Sequence, residues 1–247
     1  MELSQTWELS HAQKAQVHSL VTICNTHDSI HLGYPLEEDT KHFLLYDNSG
    51  RLASALGLFF SGPDCCECTA FTRPDCRKKG YFSLLLDAAL AFLNELEAAG
   101  QEEYDLLFSV TPDCKAALGM LKALQAEYVY SEYIMERALG SERNPDSGLT
   151  LRFQENGLCA AYLDGRPVGS CRIDRQASSI FLYEVEILEP LRGQGLGTRL
   201  MESLFYQLSQ TEAGLLRLQV SSANQAAMAL YKKTGFRICE TLSYYLY

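Results

Sequence analysis

The hydrophobic positions of this chain recur with helical spacing in two long segments, Leu84 to Leu96 and Leu200 to Leu208. Apolar residues three or four positions apart form one face of a helix, so both segments are predicted to be amphipathic helices. Each segment follows strand-like sequence and a turn that contains glycine. The pattern therefore predicts two similar units of strand, turn and helix in one chain.

A longer comparison shows that the second unit repeats the first. Arg77 and Gly80 align with Arg192 and Gly195 at an offset of 115 residues, and the segment from Asp105 aligns with the segment from Leu215 at an offset of 110. The second pair of segments reads as a buried strand, a polar turn and an amphipathic helix, and a further strand candidate follows each helix. Each half is thus predicted to form an α/β structure, a mixed sheet with helices packed on it.

A polar stretch, "GSERNPDSG" from Gly140 to Gly148, separates the two halves and is typical of a linker. The predicted domains are therefore residues 1–140 and 141–247. The first half carries two further helix candidates, around Ala12 to Asn25 and Leu36 to Lys41, that the second half lacks. After the linker the chain runs directly into the predicted strands "LTLRFQ", "LCAAYL", "PVGSCRID" and "SIFLYEVEIL".

Composition places the chain among ordinary globular proteins. Its 247 residues are 47% hydrophobic, which is enough for packed cores in two domains. No run of 18 apolar residues occurs and the amino terminus lacks the layout of a secretory signal, so a cytoplasmic location is expected. The net charge of −10 disfavours nucleic acid and anionic membranes as partners, and it weakly favours cationic partners such as amines.

The nine cysteines are expected to be free thiols, because their number is odd and nothing marks the chain for export. Cys65, Cys66 and Cys68 form one local cluster, but no second Cys or Cys/His pair stands at metal-site spacing. All five histidines lie between positions 11 and 42. A plain strand or hairpin edge is therefore favoured over a metal site, and no metal is expected.

The loop from Arg192 to Thr198 has the composition of a phosphate-binding turn. Its glycines allow positive φ angles, so several N–H groups can point to one spot, and the dipole of the following helix adds partial positive charge. A purely structural turn has much the same composition. The loop lacks the Lys-Ser/Thr pair of a P-loop, and it lies too late in the chain for a convincing Rossmann fingerprint.

A strand that leads into Arg-x-x-Gly-x-Gly and then a helix, late in a mixed sheet, resembles the acyl-CoA loop of the GNAT N-acetyltransferase superfamily. A second motif of that family, N-x-x-A-x-x-x-Y-x-x-x-G-F, is matched from Asn224 through Tyr231 to Phe236. The two motifs are in register, and the resemblance covers Leu149 to Tyr247. It implies two GNAT-like domains, each with a mixed, mostly antiparallel central sheet flanked by helices.

The resemblance also implies a site. In this family an amine attacks the thioester of acetyl-CoA directly, with no metal and no acyl-enzyme. The resemblance implies that Tyr231 is the general acid for the thiolate and that Asn224 meets the pantetheine arm, since seven residues separate them on one helical face. The backbone of Ile187 and Leu188 would pair with pantetheine amides. The residues expected to cradle the pyrophosphate are Gln194, Gly195, Leu196, Gly197 and Thr198. Arg192, which would add charge or loop structure, and Gly193 are expected to bind the cofactor beside them.

Two carboxylates, Glu184 and Glu186, are candidates for the base that takes the ammonium proton. They alternate with apolar neighbours on a predicted strand, so both are expected to leave the same face. The family most often has a Glu at the position of Glu184. The alternative, that both carboxylates are solvated or paired with an arginine, stays open.

The first half departs from the family pattern at each chemical position. Phe82 stands where the last glycine is expected, Cys114 where Asn224 stands, and Leu121 where Tyr231 stands. Leu121 cannot donate a proton. The first half, Met1 to Leu139, is therefore predicted to be a degenerate domain that supports the active half and helps to wall the acceptor site, with one cofactor per chain in the second half. The basic run of residues 77–79 is expected to be a solvated helix entrance.

These observations favour an acyl-CoA-dependent N-acyltransferase that acts on a primary amine of a small molecule or peptide, with acetyl as the expected group. A non-catalytic CoA-binding or protein-interaction module is the alternative, and a longer acyl donor is a third possibility. The identity of the acceptor and the oligomeric state stay open, although the two halves could pair as two chains of single-domain relatives do.

Overall fold

The computed structural model describes residues 1–62, 65–100, 103–176, 179–210 and 214–247. The chain forms two compact units, one of residues Met1–Tyr130 with Leu242–Tyr247 and one of residues Ser131–Thr241. We refer to them as unit 1 and unit 2. Each unit has its own strands, helices and hydrophobic clusters.

Unit 1 is a sheet with helices on both faces. Its strands are β1 (Glu2–Thr6), β2 (Thr40–Tyr46), β3 (Leu52–Phe60), β4 (Cys65–Thr72) and β5 (Asp105–Val110). Its helices are α1 (His11–Asp28), α2 (Tyr81–Ala98) and α3 (Lys115–Leu124), with a 3-10 turn at Pro74–Cys76. The pairs β1–β2, β2–β3 and β3–β4 are antiparallel, and β4–β5 is parallel. The carboxy-terminal residues Ser243–Leu246, from β12 (Arg237–Leu246), complete the sheet beside β5 in antiparallel register.

The two faces of the unit 1 sheet bury different helices because successive strand residues point to opposite sides. On one face, Phe43 and Leu45 of β2 pack with the apolar sides of α2 and α3. On the other face, Leu44 packs with Val17 and Leu20 of α1. Helix α1 is fixed at its start by a capping box. Both faces of this sheet are therefore covered.

Unit 2 contains a sheet with helices on one face, formed by six strands together with residues 237–241 of β12, which lie beside β6. The strands are β6 (Glu127–Ala138), of which residues 131–138 belong to this unit, β7 (Leu149–Phe153), β8 (Leu158–Leu163), β9 (Arg166–Gln176), β10 (Ser179–Ile187) and β11 (Leu215–Ser221). The helices are α4 (Leu196–Ser209) and α5 (Gln225–Lys233), with a 3-10 turn at Glu189–Leu191. The order is β6-β11-β10-β9-β8-β7, and β10–β11 is the one parallel pair among them.

The core of unit 2 lies between its sheet and the two helices. Met201 and Leu204 of α4 and Met228 of α5 pack in one cluster with Ile173 of β9 and Leu182 of β10. Both helices therefore cover the same face of the sheet. In the part of unit 2 that the structure describes, no helix lies on the opposite face, where the neighbouring residues of β9 and β10 are largely exposed.

The structure confirms the α/β class and the repeated order of elements. Helices α2 and α4 both begin after a glycine, at Tyr81 and Leu196, and α3 and α5 keep the offset of 110 residues. The helix expected at Leu36 to Lys41 is wrong, since β2 begins at Thr40 and no helix precedes it after α1. The physical reason is burial: Thr40 and residues 42–45 are buried on both faces of the sheet, so their apolar run is that of an interior strand.

The cysteine cluster lies on β4, between β3 and β5, and is therefore not at a sheet edge. Each of the nine cysteines is a thiol outside any disulfide. Burial raises the pKa of the Cys66 thiol to about 12, so this thiol is protonated and unreactive at neutral pH. Among the residues that the structure describes, no three His, Cys, Asp or Glu side chains are arranged to hold a metal ion. None of the described helices is long and apolar enough to cross a membrane.

Each unit includes a strand from the distant half of the sequence. Residues Glu132–Ala138 pair with the whole of β11 in unit 2, and Ser243–Leu246 pair with β5 in unit 1. The first of these segments lies before the linker and the second lies at the carboxy terminus. The predicted domains 1–140 and 141–247 describe the repeat of the sequence, whereas the compact units exchange their last strands.

Candidate active site

The sheet of unit 2 opens between β10 and β11. The parallel pairing covers only Ile180–Leu182 of β10 and Leu216–Leu218 of β11, although both strands continue for several residues. On its other side β10 has a register shift against β9 between Tyr183 and Glu186, and Glu184 has a φ of 51°. A bulge of this kind bends a strand and turns a side chain away from the regular alternation. The bulge therefore lies where the two strands separate.

A cavity of about 380 Å³ fills this opening. It is lined by Asp174, Gln176, Phe181, Leu182, Tyr183, Glu184, Gln219 and Tyr231. Tyr231 belongs to the core on the helix-covered face. Residues such as Tyr183 and Gln219 alternate with buried core residues of the same strands, so their side chains point to the open face. The cavity thus joins the two faces of the sheet through the gap.

Tyr231 is the buried polar group of this cavity. Only 6% of its surface is exposed, and its ring packs 5.8 Å from the ring of Phe236. Its hydroxyl makes no hydrogen bond within the described part of the chain. Burial, with a smaller contribution from the Cys171 thiol, raises the pKa of Tyr231 to about 12. The phenol therefore keeps its proton throughout the neutral and mildly basic range.

The two candidate carboxylates are held by different arginines. Arg172 Nε donates to Glu184 Oε2 at 2.8 Å, and Arg192 Nη2 lies 3.4 Å from Glu186 Oε1. The expectation of a shared face assumed a regular strand, and the bulge at Glu184 removes that regularity. Glu184 lines the cavity, whereas Glu186 does not. The structure therefore separates two residues that the sequence treats alike, and both are arginine-paired.

The loop before α4 has the shape expected of an anion-binding turn. Gly193 and Gly195 have φ angles of 76° and 77°, and Arg199 N–H donates to Gly195 O as the first helical bond. No side chain in the described residues caps this helix. The N–H groups of the first turn, Gly195 to Thr198, therefore have no partner along the helix, and they carry the positive end of its dipole.

Gly197 lies where α4 approaches the end of β10 and helix α5. A Cβ atom at this position would lie 3.3 Å from Leu230 Cδ2 and 3.9 Å from Ile187 Cγ1. A large side chain here would enter the space between the two helices and the strand end. Glycine at 197 therefore keeps open the path from the loop toward the cleft.

Several backbone groups at the end of β10, just before the loop, already form hydrogen bonds within the protein. Leu188 N–H donates to Val168 O at 3.0 Å, and Leu188 O accepts from Leu191 N–H at 2.8 Å. In an antiparallel pair bonded residues alternate, so the N–H of Ile187 points away from β9 and toward the gap. Arg192 Nε donates a hydrogen bond to Ile187 O at 2.9 Å. Of the two residues expected to bind pantetheine, Ile187 keeps a free N–H, and Leu188 uses its own for the sheet.

Asn224 lies at the start of α5 and acts as its N-cap. Its Oδ1 accepts from Ala227 N–H at 3.1 Å. A cap of this type satisfies one of the unpaired donors at a helix start. The side-chain oxygen of Asn224 is therefore engaged in the cap, and the amide Nδ2 is the side-chain group that could still donate to a ligand.

A second cavity, of about 620 Å³, lies beside the first turn of α4. Its polar lining includes Thr198 and Glu202 of α4, Lys233 at the end of α5, and Glu142 and Arg143 of the linker. Arg137 also lines it, stacked 3.9 Å from the centre of the Phe205 ring and paired with Glu142 at 2.7 Å. The cavity therefore offers cationic groups next to the anion-binding turn.

Sequence reasoning missed several residues of the cleft. Asp174, Phe181, Tyr183 and Gln219 line the cavity, and Arg172 holds Glu184. For all of them except Gln219, which lies on β11, the signal was present in the predicted strands "PVGSCRID" and "SIFLYEVEIL", where polar and aromatic residues alternate with buried ones. Phe181 pairs with Asp174 and Tyr183 pairs with Arg172, and these two pairs lie on the same face of the sheet. This pairing could not be read without the register of the two strands.

The corresponding part of unit 1 is closed. Pairing between β4 and β5 ends at Cys68 and Phe108, and the next residues, Thr69 and Ser109, join their hydroxyls at 2.8 Å. Both hydroxyl side chains are buried. Leu121, 2% exposed, stands where α5 has Tyr231. Unit 1 therefore has a hydrogen bond and an apolar side chain where unit 2 has a cavity and a phenol.

The loop before α2 in unit 1 has the same backbone shape as the loop before α4, but its arginine is held in an ion pair. Lys78 has a φ of 59° and Gly80 a φ of 81°, close to the angles of Gly193 and Gly195. Arg77, however, forms a bidentate pair with Asp28 of α1, and this pair lowers the pKa of the Asp28 carboxyl. The ring of Phe82 lies 6.3 Å from that of Phe108 and packs on the core cluster of unit 1. The expected solvated helix entrance is thus tied to the fold at Arg77.

Several solved structures of similar fold carry acetyltransferase or GNAT names. A GCN5-related N-acetyltransferase from Sphaerobacter thermophilus is 14% identical, with 99% of this chain and 95% of that chain covered at a TM-score of 0.77. A tandem GNAT protein from the clavulanic acid biosynthesis pathway is 15% identical, with 100% and 98% covered at 0.65. A GNAT acetyltransferase from Colwellia psychrerythraea is 12% identical, with 100% of both chains covered at 0.58. At these identities the likeness shows the fold, which is that of the GNAT class.

A sequence match adds to the likeness of fold. The model of the acetyltransferase (GNAT) family matches residues 119–236, a span that includes the glycine loop, the cleft and α5. The match covers 118 of the 247 residues, just under half of the chain, so over this span the chain is similar to the GNAT family. The fold supports acyl transfer as its general chemistry.

Proposed function

We propose that this protein is an acyl-CoA-dependent N-acyltransferase that transfers acetyl from acetyl-CoA to a primary amine in the β10–β11 cleft of unit 2. The observation that carries the proposal is the buried Tyr231 phenol, which lines the cleft and has no hydrogen-bond partner in the described residues. The hydroxyl oxygen is not one of the fully buried polar atoms, so it borders the open space of the cleft, where a ligand can complete its hydrogen bonding.

The loop fits the pyrophosphate of acetyl-CoA. The N–H groups of Gly195 to Thr198 are unpaired, and they lie at the positive end of the α4 dipole. Ile187 N–H is directed to the gap that leads from this loop to the cleft. We expect it to bind a pantetheine carbonyl, with Asn224 Nδ2 as a second donor to the same arm.

The nucleotide end of acetyl-CoA fits the second cavity. That cavity begins at Thr198, in the same helical turn that would hold the pyrophosphate. Arg143 and Lys233 supply positive charge there, and neither forms an ion pair in the part of the chain that the structure describes. A phosphate on the ribose would be attracted to these two side chains.

The chemistry assigned to the chain is proton transfer and orientation. The amine nitrogen forms a bond to the thioester carbon, the carbon–sulfur bond breaks, and one proton leaves the ammonium. Glu184, with Arg172 fixing its orientation, is the carboxylate on the open face that accepts this proton directly or through water.

Tyr231 acts on the sulfur. With its pKa raised to about 12, the phenol holds its proton more tightly than a thiolate of ordinary basicity would. It therefore stabilises the departing thiolate chiefly as a hydrogen-bond donor, and the proton gained by the thiol comes in the end from the solvent side. This refines the role of simple general acid that the resemblance implies.

The variant Tyr231→Phe tests the proposal. It removes only the hydroxyl, so we expect kcat for acetyl transfer to fall by about 100-fold or more with the dissociation constant for acetyl-CoA nearly unchanged. Thiol release measures the rate across a panel of amines, and calorimetry measures the binding. Tyr133→Phe, in the same core but outside the cavity, is the matched control and should keep full activity.

Calorimetry also tests the number of sites, and we expect one acetyl-CoA per chain because unit 1 has a closed gap and a paired Arg77. The competing hypothesis is a CoA-binding module without turnover. This second hypothesis is supported if the protein binds acetyl-CoA but transfers acetyl to no amine, and if Tyr231→Phe leaves the acetyl-CoA affinity unchanged.

A further inference from the structure

We infer that the acceptor is a small amine with a second cationic group, such as an α,ω-diamine or polyamine, and that Asp174 binds this second group. The inference rests on the proposed acyl transfer and concerns the acceptor side of the same cleft. Asp174 would be a specificity-determining residue that takes no part in the chemistry.

The first support is the position of Asp174. It lies on β9 directly opposite Phe181 of β10, on the open face of the sheet and in the lining of the cleft. Glu184 is three residues beyond Phe181 on the same strand, so the two carboxylates are separated by about 10 Å along the cleft. An acceptor that reacts near Glu184 and Tyr231 would extend its other end toward Asp174.

The second support is the charge balance of the cleft. Two carboxylates, Asp174 and Glu184, line the cavity, and among the lining residues that the structure describes there is no lysine or arginine. Glu184 is compensated by Arg172. Asp174 has no ion pair in the described residues, and its partner there is the neutral amide of Gln176 at 3.2 Å. One negative charge at the far end of the cleft is therefore left for a ligand.

The third support is independent of the carboxylates. The Tyr231 side chain is 6% exposed and lines the near end of the cleft, with its hydroxyl unpartnered in the described part of the chain. It marks the reacting end and fixes the direction of the acceptor. Between the two ends lie Phe181 and Tyr183, whose rings suit a methylene chain and can also face a cation.

The experiment compares acceptors that differ only in the second amino group. Straight-chain monoamines from butylamine to octylamine are paired with diamines of the same length, at a pH where both amino groups are charged. We expect kcat/KM of the best diamine to exceed that of its monoamine by about 10-fold or more, since a hydrogen bond to a charged group contributes that much. Thiol release from acetyl-CoA is the readout.

The variant Asp174→Asn removes the charge but keeps the shape and the acceptor atom for Gln176. We expect it to lower kcat/KM for diamines by about 10-fold, mainly through KM, and to leave the monoamines unchanged. Asp164→Asn is the matched control. Asp164 is exposed in the β8–β9 turn with a φ of 51°, which asparagine also adopts, and it does not line the cleft.

Equal use of monoamines and diamines, or a preference for a lysine-containing peptide over the diamines, would overturn the inference and leave the proposed function intact. Absence of transfer to every amine would instead contradict the proposed function. In that case calorimetry with hexamethylenediamine and the CoA-loaded protein decides the inference: binding weakened by Asp174→Asn supports it, and binding that is absent or unchanged overturns it.

Discussion

Two loops with nearly the same backbone precede α2 in unit 1 and α4 in unit 2. In both, a 3-10 turn is followed by two residues with positive φ, and an arginine Nε donates to the carbonyl at the strand end, from Arg77 to Thr72 and from Arg192 to Ile187. Neither helix has a side-chain cap. The loop before α2, in which Phe82 replaces the last glycine of the family pattern, therefore still has the backbone shape of an anion-binding turn. Its shape alone does not make a CoA site.

The difference between the units lies in the sheet behind the loop. The β4–β5 pair Cys66–Leu106 corresponds to Ile180–Leu216, an offset of 114 for the first strand, whereas the loops are related by 115. Strand β10 thus has one residue more than β4 before the loop, and the bulge at Glu184 accommodates it. This comparison indicates that one inserted residue, with Tyr231, separates a closed sheet from a cleft that can hold a reaction.

The exchange of last strands gives the largest expected effect. We expect fragments 1–140 and 141–247 to be inactive when expressed alone, because unit 2 needs residues 132–138 beside β11 and unit 1 needs residues 243–246 beside β5. An unpaired interior strand exposes a row of backbone groups and promotes aggregation. Co-expression should restore thiol release, and so should a full chain cleaved at Asn144. Full activity of a monomeric fragment 141–247 would contradict the exchange.

The bulge gives the next largest effect. We expect Glu184→Gln to lower kcat by about 100-fold, because the amide keeps the bond from Arg172 but cannot accept the ammonium proton. Glu186→Gln is the control, since Glu186 lies outside the cavity, and its kcat should change little. Steady-state thiol release with a saturating amine measures both. A larger loss for Glu186→Gln would reverse the roles of the two carboxylates.

Exchanging the loop residues that differ tests the path to the cleft. We expect Gly197→Phe to weaken acetyl-CoA binding by about 10-fold or more, because a ring at this position must displace Leu230 and Ile187. The reverse change, Phe82→Gly, should create no second site, since Thr69–Ser109 and Arg77–Asp28 stay in place. Calorimetric affinity and stoichiometry measure both. Two sites per chain in the Phe82→Gly variant would show that the loop alone had closed unit 1.

The smallest effect concerns the closed gap itself. We expect Thr69→Val to lower the free energy of unfolding by about 1–3 kcal/mol, because it leaves the buried Ser109 hydroxyl without its partner. Activity per folded molecule should be unchanged. Urea denaturation measures the loss, with Thr150→Val on the exposed side of β7 as the control. An unchanged stability would mean that water readily enters the gap of unit 1.

The repeat explains how much of the fold could be predicted. The recurrence of Arg77 and Gly80 at Arg192 and Gly195 gave the order of strands and helices, because each element depends on local periodicity. The exchange of last strands depends on pairing between distant segments, which no local pattern encodes. The helix expected at Leu36 to Lys41 failed for a related reason, since burial in the sheet overrides a helical spacing of a few residues.

At the site, the types of residue could be predicted from the sequence, but their hydrogen bonds and their positions relative to the cavity could not. The spacing of Asn224 and Tyr231 indicated two ligand-facing residues, but the structure shows that Asn224 also caps α5. Glu184 and Glu186 looked equivalent because a sequence does not show where a strand bulges. Asp174 was missed because its place opposite Phe181 depends on register. The roles of these residues in catalysis stay predictions.

The left-handed backbone of Lys78 bears on the entropy cost of ligand binding at the second loop. A lysine in the left-handed region costs about 1–2 kcal/mol, yet the first loop adopts it where the second has Gly193. The surrounding fold therefore imposes this backbone even against the preference of the residue. The same architecture around α4 implies a cradle that is preorganised before its ligand arrives, so that little conformational entropy is lost on binding. The backbone NMR order parameters of the second loop should accordingly be as high as those of the neighbouring helix in the free protein, before any acetyl-CoA is added.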